Sequence, residues 1–231
     1  MDDGIHDIDF DDDETSVQEK KKGPLSRPPR WRDIHPALQI FLLFVVSTLM
    51  YRGYSFGSLF PASGEAVFSG HQYWRILTSL FTHSGMTHLL SNSWLFIIFG
   101  WFLRTYFGTI VFPVLSLVLG MAGTWITLLF YDPTVNLVGA SGMIHSMIGL
   151  WIVLYVRFDS DHTVPMRLFR AVGFSLAMLI PSTVQAEVSY TAHGVGFILG
   201  IAGGLLCSPF VKTGMSPEAD EGDINDRSET N

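Results

Sequence analysis

Apolar residues in this chain come in long unbroken runs, not in the alternation of a half-buried strand or the one-sided stripe of a surface helix. Residues 38–51, 87–103, 111–130 and 192–209 contain no Asp, Glu, Lys or Arg, and each approaches the roughly 20 residues that cross a hydrocarbon core. Two further stretches, one entered at Ser141 and one over residues 169–180, bring the set to six. The pattern predicts an all-α polytopic membrane protein with helices near 38–54, 86–103, 109–130, 141–156, 169–180 and 192–209. The first connection, residues 52–85, is long and carries Tyr54, Phe56, Phe60, Phe68, Tyr73 and Trp74. Amphipathic aromatics settle at membrane interfaces, so this connection is expected to be structured and half sunk in the outer leaflet.

Charge sets the direction of the spans. Residues 1–19 are acidic and without periodicity, as expected of a disordered segment, and Lys20, Lys21, Lys22, Arg27, Arg30 and Arg32 follow just before the first run. A basic cluster there holds its end in the cytoplasm. With six spans, Arg104, Arg157, Arg167, Arg170 and Lys212 fall on that same side, and both termini are cytoplasmic. The expected organisation is a disordered tail over 1–33, a membrane domain over 34–211 and an acidic tail over 212–231. The start lacks the positive n-region and apolar core of a cleavable leader. With no organelle-type presequence and no extra helix, a prokaryotic plasma membrane is the expected location.

Composition narrows the partners. Apolar residues make up 48 % and charged residues 15 %; the net charge of -7 resides in the tails, so it implies no nucleic-acid face. Cys207 is the sole cysteine, which rules out an internal disulfide or a thiolate cluster. No cofactor is called for. His83, His88, His145 and His193 have no His-Glu-x-x-His helix and no intramembrane carboxylate to make a hydrolytic metal site, so no metal is expected.

Four polar groups are not explained by apolarity. His88 and Asn92 lie on the second span, Ser141 opens the fourth, and His193 begins the sixth. At about 1.5 Å per residue, each falls within the first two turns of its helix, so all four share one depth below the outer surface. His88 and Asn92, at i and i+4, share a helix face. Taken singly, each reads as an interhelical hydrogen bond worth about 1 kcal/mol; taken together, polar side chains in a bilayer mark functional candidates. Ser141 sits in Gly139-Ala140-Ser141-Gly142. Those glycines leave room for a substrate backbone and for NH groups facing an oxyanion, and they equally fit close helix packing.

Across residues 74–204 these motifs resemble the rhomboid intramembrane serine proteases. Trp74-Arg75 resembles the family's pair in the first external loop, and His83, His88 and Asn92 fall as in its second span. Gly139-Ala140-Ser141-Gly142 matches the Gly-x-Ser-Gly of its fourth, and Ala192-His193-x-x-Gly196-x-x-x-Gly200 matches its sixth. The resemblance implies a Ser141–His193 dyad, with serine as nucleophile and histidine as general base, and an oxyanion hole from His88, Asn92 and the Ser141 N–H. It implies transmembrane proteins as substrates, cut at or near the outer end of a transmembrane segment, with the lipid bilayer as surroundings. Lateral entry would pass between spans two and five, where Trp94, Phe96, Trp101 and Phe102 face Phe169, Phe174 and Met178. Gly196 and Gly200 would let span six press on a neighbour. His145 stands where the family commonly has a tyrosine stacked on the catalytic imidazole; it is expected to pack on or hydrogen-bond to His193 and add a second titratable ring. Two other readings remain: a catalytically inactive relative that binds membrane clients, and a proton or metal transporter, which would need polar residues through the full membrane depth.

Overall fold

A computed structural model describes residues 23–180 and 189–213. The acidic residues 1–19 and most of the acidic tail over 212–231 lie outside the described residues. Among the described residues seven α-helices follow in order: α1 (His35–Gly53), α2 (Trp74–Phe81), α3 (Met86–Thr109), α4 (Ser116–Leu128), α5 (Ser141–Phe158), α6 (Val164–Leu179) and α7 (Tyr190–Cys207). Six of them build the membrane bundle, and α2 belongs to the connection after α1. Trp31–Gly53, Met86–Leu128, Ser141–Phe158 and Tyr190–Cys207 are each long and apolar enough to cross a bilayer. The second of these contains both α3 and α4. Among the six, α4 is shortest at 13 residues, and α6 has 16, about 24 Å at the usual rise.

Several boundaries differ from the sequence expectation. Helix α3 does not stop at Arg104 but runs to Thr109, and the chain reverses at Gly108, whose φ is 80°. The next α-helix starts at Ser116, not at 109, because Phe112, the residue before Pro113, is extended, the geometry a following proline favours. Helix α6 starts at Val164, not 169. Its first turns accommodate Arg167 and Arg170 because both are engaged: Arg167 Nε donates to the His162 carbonyl (2.6 Å) and Arg170 Nε to the Tyr155 hydroxyl (3.1 Å). The start of α7 is two residues earlier than expected. Residues 23–33, assigned to a disordered tail, are ordered instead. Trp31 stacks on Trp101 at 4.6 Å, Tyr106 donates to the Arg27 carbonyl (2.7 Å) and Trp101 Nε1 to the Arg30 carbonyl (2.8 Å).

Helix α5 is the centre of the bundle. Met143, Ile144, Met147, Leu150 and Leu154 are wholly buried on it, and Phe44, Phe96, Phe99 and Phe112 fill the space between α1, α3 and the turn before α4. The residues α7 buries are all glycines: Gly196, Gly200, Gly203 and Gly204. Its large side chains, among them Ile198, Leu205 and Leu206, are exposed and face where lipid would be. In a bilayer, burying apolar area supplies no drive between helices, so close backbone approach must do it. A Cβ at Gly196 would lie 2.1 Å from the Gly142 carbonyl oxygen, and one at Gly200 would lie 2.1 Å from that of Ser146. Farther along, Gly204 meets Val153. The partners advance together, so α5 and α7 run parallel and start at the same end.

The connection after α1 is ordered throughout. Arg75, buried on α2, donates to Gln72 Oε1 (2.5 Å) and to the carbonyls of Ser58 (2.8 Å) and Pro61 (3.0 Å). Burial lowers its pKa from the ordinary arginine value, and the carbonyls replace lost water. Trp74, Tyr73 and Leu77 on the same stretch stay exposed, giving α2 one anchored and one apolar outer face. Ala62 and Leu137 exchange backbone hydrogen bonds of 3.0 and 2.7 Å, which stitches this connection to the segment ahead of α5.

Candidate active site

Ser141 is the first residue of α5, and Ala140 is its N-cap. The first N–H groups of a helix have no partner within it, so the Ser141 amide is held at a helix start. What fixes the approach is Gly139. Its φ is 116°, a conformation side chains resist, and its N–H donates to the Ser79 carbonyl (2.9 Å). A Cβ there would lie 2.6 Å from His88 Cε1, 2.8 Å from His88 Nε2 and 3.5 Å from Asn92 Nδ2. The His88 and Asn92 side chains on α3 therefore press on the backbone two residues ahead of Ser141. Asn92 is buried, and its Nδ2 has no hydrogen-bond partner among the described residues.

His83 holds the other side of this turn. Fully buried between α2 and α3, it receives the Ala140 N–H on Nε2 at 3.5 Å and faces Thr48 Oγ1 with Nδ1 at 3.4 Å, both long contacts. Desolvation, reinforced by His88, pushes its pKa down to about 3. It is therefore neutral, and accepting on Nε2 places its proton on Nδ1.

His193 lies on the fourth residue of α7. Its ring stacks on that of His145, with centroids 3.9 Å apart and planes 14° from parallel. His145 Nδ1 is 2.8 Å from the Ser141 carbonyl oxygen. A carbonyl only accepts, so Nδ1 carries the proton of His145 and Nε2 its lone pair. The start of α7 is pinned by Ser189, whose Oγ accepts from Ala192 N (3.1 Å) and pairs with the Tyr131 hydroxyl (2.8 Å). Gly142 packs on Ala192. A cavity of about 40 Å³ opens beside Ser141, bordered in part by the hydroxyl residues Ser79, Thr124, Thr127 and Ser189, room enough for a water. Thr127 Oγ1 is buried without a partner among the described residues.

The structure thus gathers Ser141, His193, His145, His88, Asn92, His83, Gly139, Gly142 and Gly196 at one end of the bundle. Gly200 lies one turn deeper. Trp74 and Arg75 stand apart, organising α2. Of the aromatic pairs proposed between α3 and α6, Phe102 stacks on Phe174 at 5.4 Å. Phe96 is buried against Phe44 and Phe112, and Trp101 is covered by Trp31, so neither faces α6. Trp94 and Phe169 are exposed. Sequence reasoning missed Thr48, Ser79, Thr127, Tyr131 and Ser189. Ser189 alone had a local signal, a serine three residues ahead of Ala192 at a helix start.

A model of the Rhomboid domain matches residues 70–210, more than half of the chain. The chain belongs to the rhomboid family. Among curated rhomboid relatives, RHOMBOID-like protein 6, mitochondrial, of Arabidopsis thaliana is 35 % identical over 85 residues, which covers 37 % of this chain and 27 % of that protein. RHOMBOID-like protein 9, chloroplastic, of the same plant is 32 % identical over 83 residues, 36 % of this chain and 18 % of that protein. The matched region is thus under a third of the length of these two rhomboid relatives. A protein named "Putative rhomboid protease YdcA" from Bacillus subtilis is 27 % identical over 164 residues, 68 % of this chain and 71 % of that one. Rhomboid relatives from a plant and from a bacterium give no preference for the prokaryotic membrane expected above; an integral membrane protein is what the spans and the family establish together.

Proposed function

We propose that this rhomboid-family protein is an intramembrane serine endopeptidase that cuts other membrane proteins in or near a transmembrane segment. Ser141 Oγ is the nucleophile. His193 takes its proton as general base and returns it to the leaving amine. The Ser141 N–H, His88 and Asn92 receive the oxyanion, and the small cavity beside Ser141 holds the water that releases the acyl group. No metal or cofactor enters these steps. The observation that carries the reading is the orphaned Asn92 Nδ2 aimed at Gly139. A buried donor left without a partner costs about 1–3 kcal/mol, and a site that forms an oxyanion is a reason to keep it. The tails would be cytoplasmic, with Ser141 near the opposite surface.

A fluorophosphonate probe tests this. The full-length protein in detergent should be labelled, Ser141→Ala and His193→Ala should lose labelling, and a model transmembrane substrate should be cut only by the wild type. A folded protein that neither labels nor cuts would instead be a rhomboid relative that binds membrane clients.

The stacked pair of imidazoles gives a second expectation. With two rings in contact, a proton on one repels a proton on the other, so the acid limb of the kcat/KM–pH profile should fall with a slope of 1. His145→Tyr, which keeps a ring on His193 and removes one titration, should move that limb along the pH axis at unchanged slope. An unchanged profile would remove His145 from the chemistry.

A further inference from the structure

The segment ahead of α1 is fastened to the end of the bundle remote from Ser141 around one carboxylate, that of Asp161. Ser26 closes the short turn Pro24–Ser26 and is exposed. Its hydroxyl donates to the Asp161 carboxylate. Both oxygens of that carboxylate also accept from the Gly23 N–H, at 3.0 Å each. Gly23 itself is buried, and a Cβ there would lie 2.5 Å from Ser160 Oγ. Asp161 sits in the connection between α5 and α6, where Asp159 pairs with His162 at 2.9 Å. The next anchors of the segment, Tyr106 and Trp101, lie on the last turns of α3. Residues 23–34 are therefore a strap from the foot of α3 to the foot of α6. It is made of two short 3-10 turns, so it can lift away without unwinding a long helix.

We propose that Ser26 is a phosphorylation site for an ATP-dependent serine kinase that recognises basic sequences, and that its phosphorylation releases the strap. The flanking sequence is Lys20-Lys21-Lys22-Gly23-Pro24-Leu25-Ser26-Arg27-Pro28-Pro29-Arg30, cationic on both sides of an accessible hydroxyl and complementary to an acidic kinase groove. In the transfer, Ser26 Oγ attacks the γ-phosphorus of ATP. A P–O bond forms to serine as the bond to the ADP oxygen breaks, and the hydroxyl proton passes to the kinase's base. The product carries about -1.5 to -2 charges and has lost the donor that Asp161 accepted. An attraction becomes a like-charge contact at the point where the strap is fastened. Among the described residues, Arg27 beside the serine is not free, Arg30 pairs with Asp33 at 2.8 Å, Arg167 binds the His162 carbonyl and Arg170 Tyr155. The phosphate is therefore set against the Asp161 carboxylate. This holds whether or not Ser141 is a nucleophile.

The test uses the full chain in lipid nanodiscs, treated with ATP and a purified basophilic serine kinase, with site mapping by mass spectrometry and amide hydrogen exchange as readout. Phosphate should appear at Ser26, and exchange over residues 23–34 and 159–163 should speed up at least tenfold. Ser26→Ala should gain no phosphate there and keep slow exchange, since the Gly23 bonds remain. In Asp161→Asn, phosphorylation should accelerate exchange several-fold less than in the wild type, because the opposing charge is gone. The proposal is overturned if Ser26 takes no phosphate, if the phosphorylated strap exchanges as slowly as the unmodified one or more slowly, or if Asp161→Asn leaves the acceleration undiminished.

Discussion

Asn92→Ala is expected to lower kcat by about 10²–10³, the usual cost of losing one oxyanion donor, with KM within about twofold of the wild type. The fold should not suffer for it. In the resting protein Nδ2 is buried and makes no hydrogen bond among the described residues, so truncation removes an unsatisfied group whose burial costs about 1–3 kcal/mol. This offsets the packing lost with the side chain. Steady-state cleavage of a model transmembrane substrate together with a thermal unfolding midpoint gives both quantities from one preparation. Lower kcat with an undiminished midpoint separates a donor used in the transition state from one that supports structure. A variant that loses its midpoint and its activity together would place Asn92 among the packing residues.

Gly196→Val should have the largest effect on the fold. Even the Cβ of the new side chain would stand 2.1 Å from the Gly142 carbonyl oxygen, and that atom belongs to the backbone of α5, which has no rotamer to move to. Overpacking usually costs about 1–3 kcal/mol, and a clash with main chain belongs at or beyond the top of that range. Helices α5 and α7 would separate by the size of the intruding group, carrying His193 off His145. The expected result is a lowered unfolding midpoint and loss of fluorophosphonate labelling. Gly194→Ala is the control, because a Cβ there meets nothing within 4 Å; it should unfold and label like the wild type.

The parts of this fold that could be read from the sequence are those that depend on runs and spacings. The apolar runs gave the spans, and the sharing of one depth by His88, Asn92, Ser141 and His193 followed from counting turns. The i, i+4 glycines of α7 foretold a close partner but not which helix it would be. Boundaries failed where a local rule was overridden by contacts from afar. Arg167 and Arg170 looked like the end of a cytoplasmic loop, yet the loop's own carbonyl and a tyrosine hydroxyl bind them inside α6. Residues 23–33 looked like tail because no periodicity is needed for a strap whose bonds go to Asp161, Trp101 and Tyr106, each about 70 to 140 positions away. The supports of the site were hidden for the same reason. Thr48, Ser79 and Tyr131 are ordinary polar residues until the chain folds them against His83, Gly139 and Ser189.

The pairing of Ala62 with Leu137, and of the Gly139 N–H with Ser79, has a mechanical meaning. Helix α2 keeps Trp74, Tyr73 and Leu77 exposed, and such residues settle at a depth fixed by the boundary between headgroups and acyl chains. Bilayers differ in thickness by several ångströms, and adjusting to a mismatch costs fractions of a kcal/mol per ångström. A thicker or thinner membrane would push on α2, and the backbone bonds would pass that load to the turn that presents Ser141. The lipid surrounding the protein is thereby a lever on the turn at Ser141, with α2 as the float that reads the waterline.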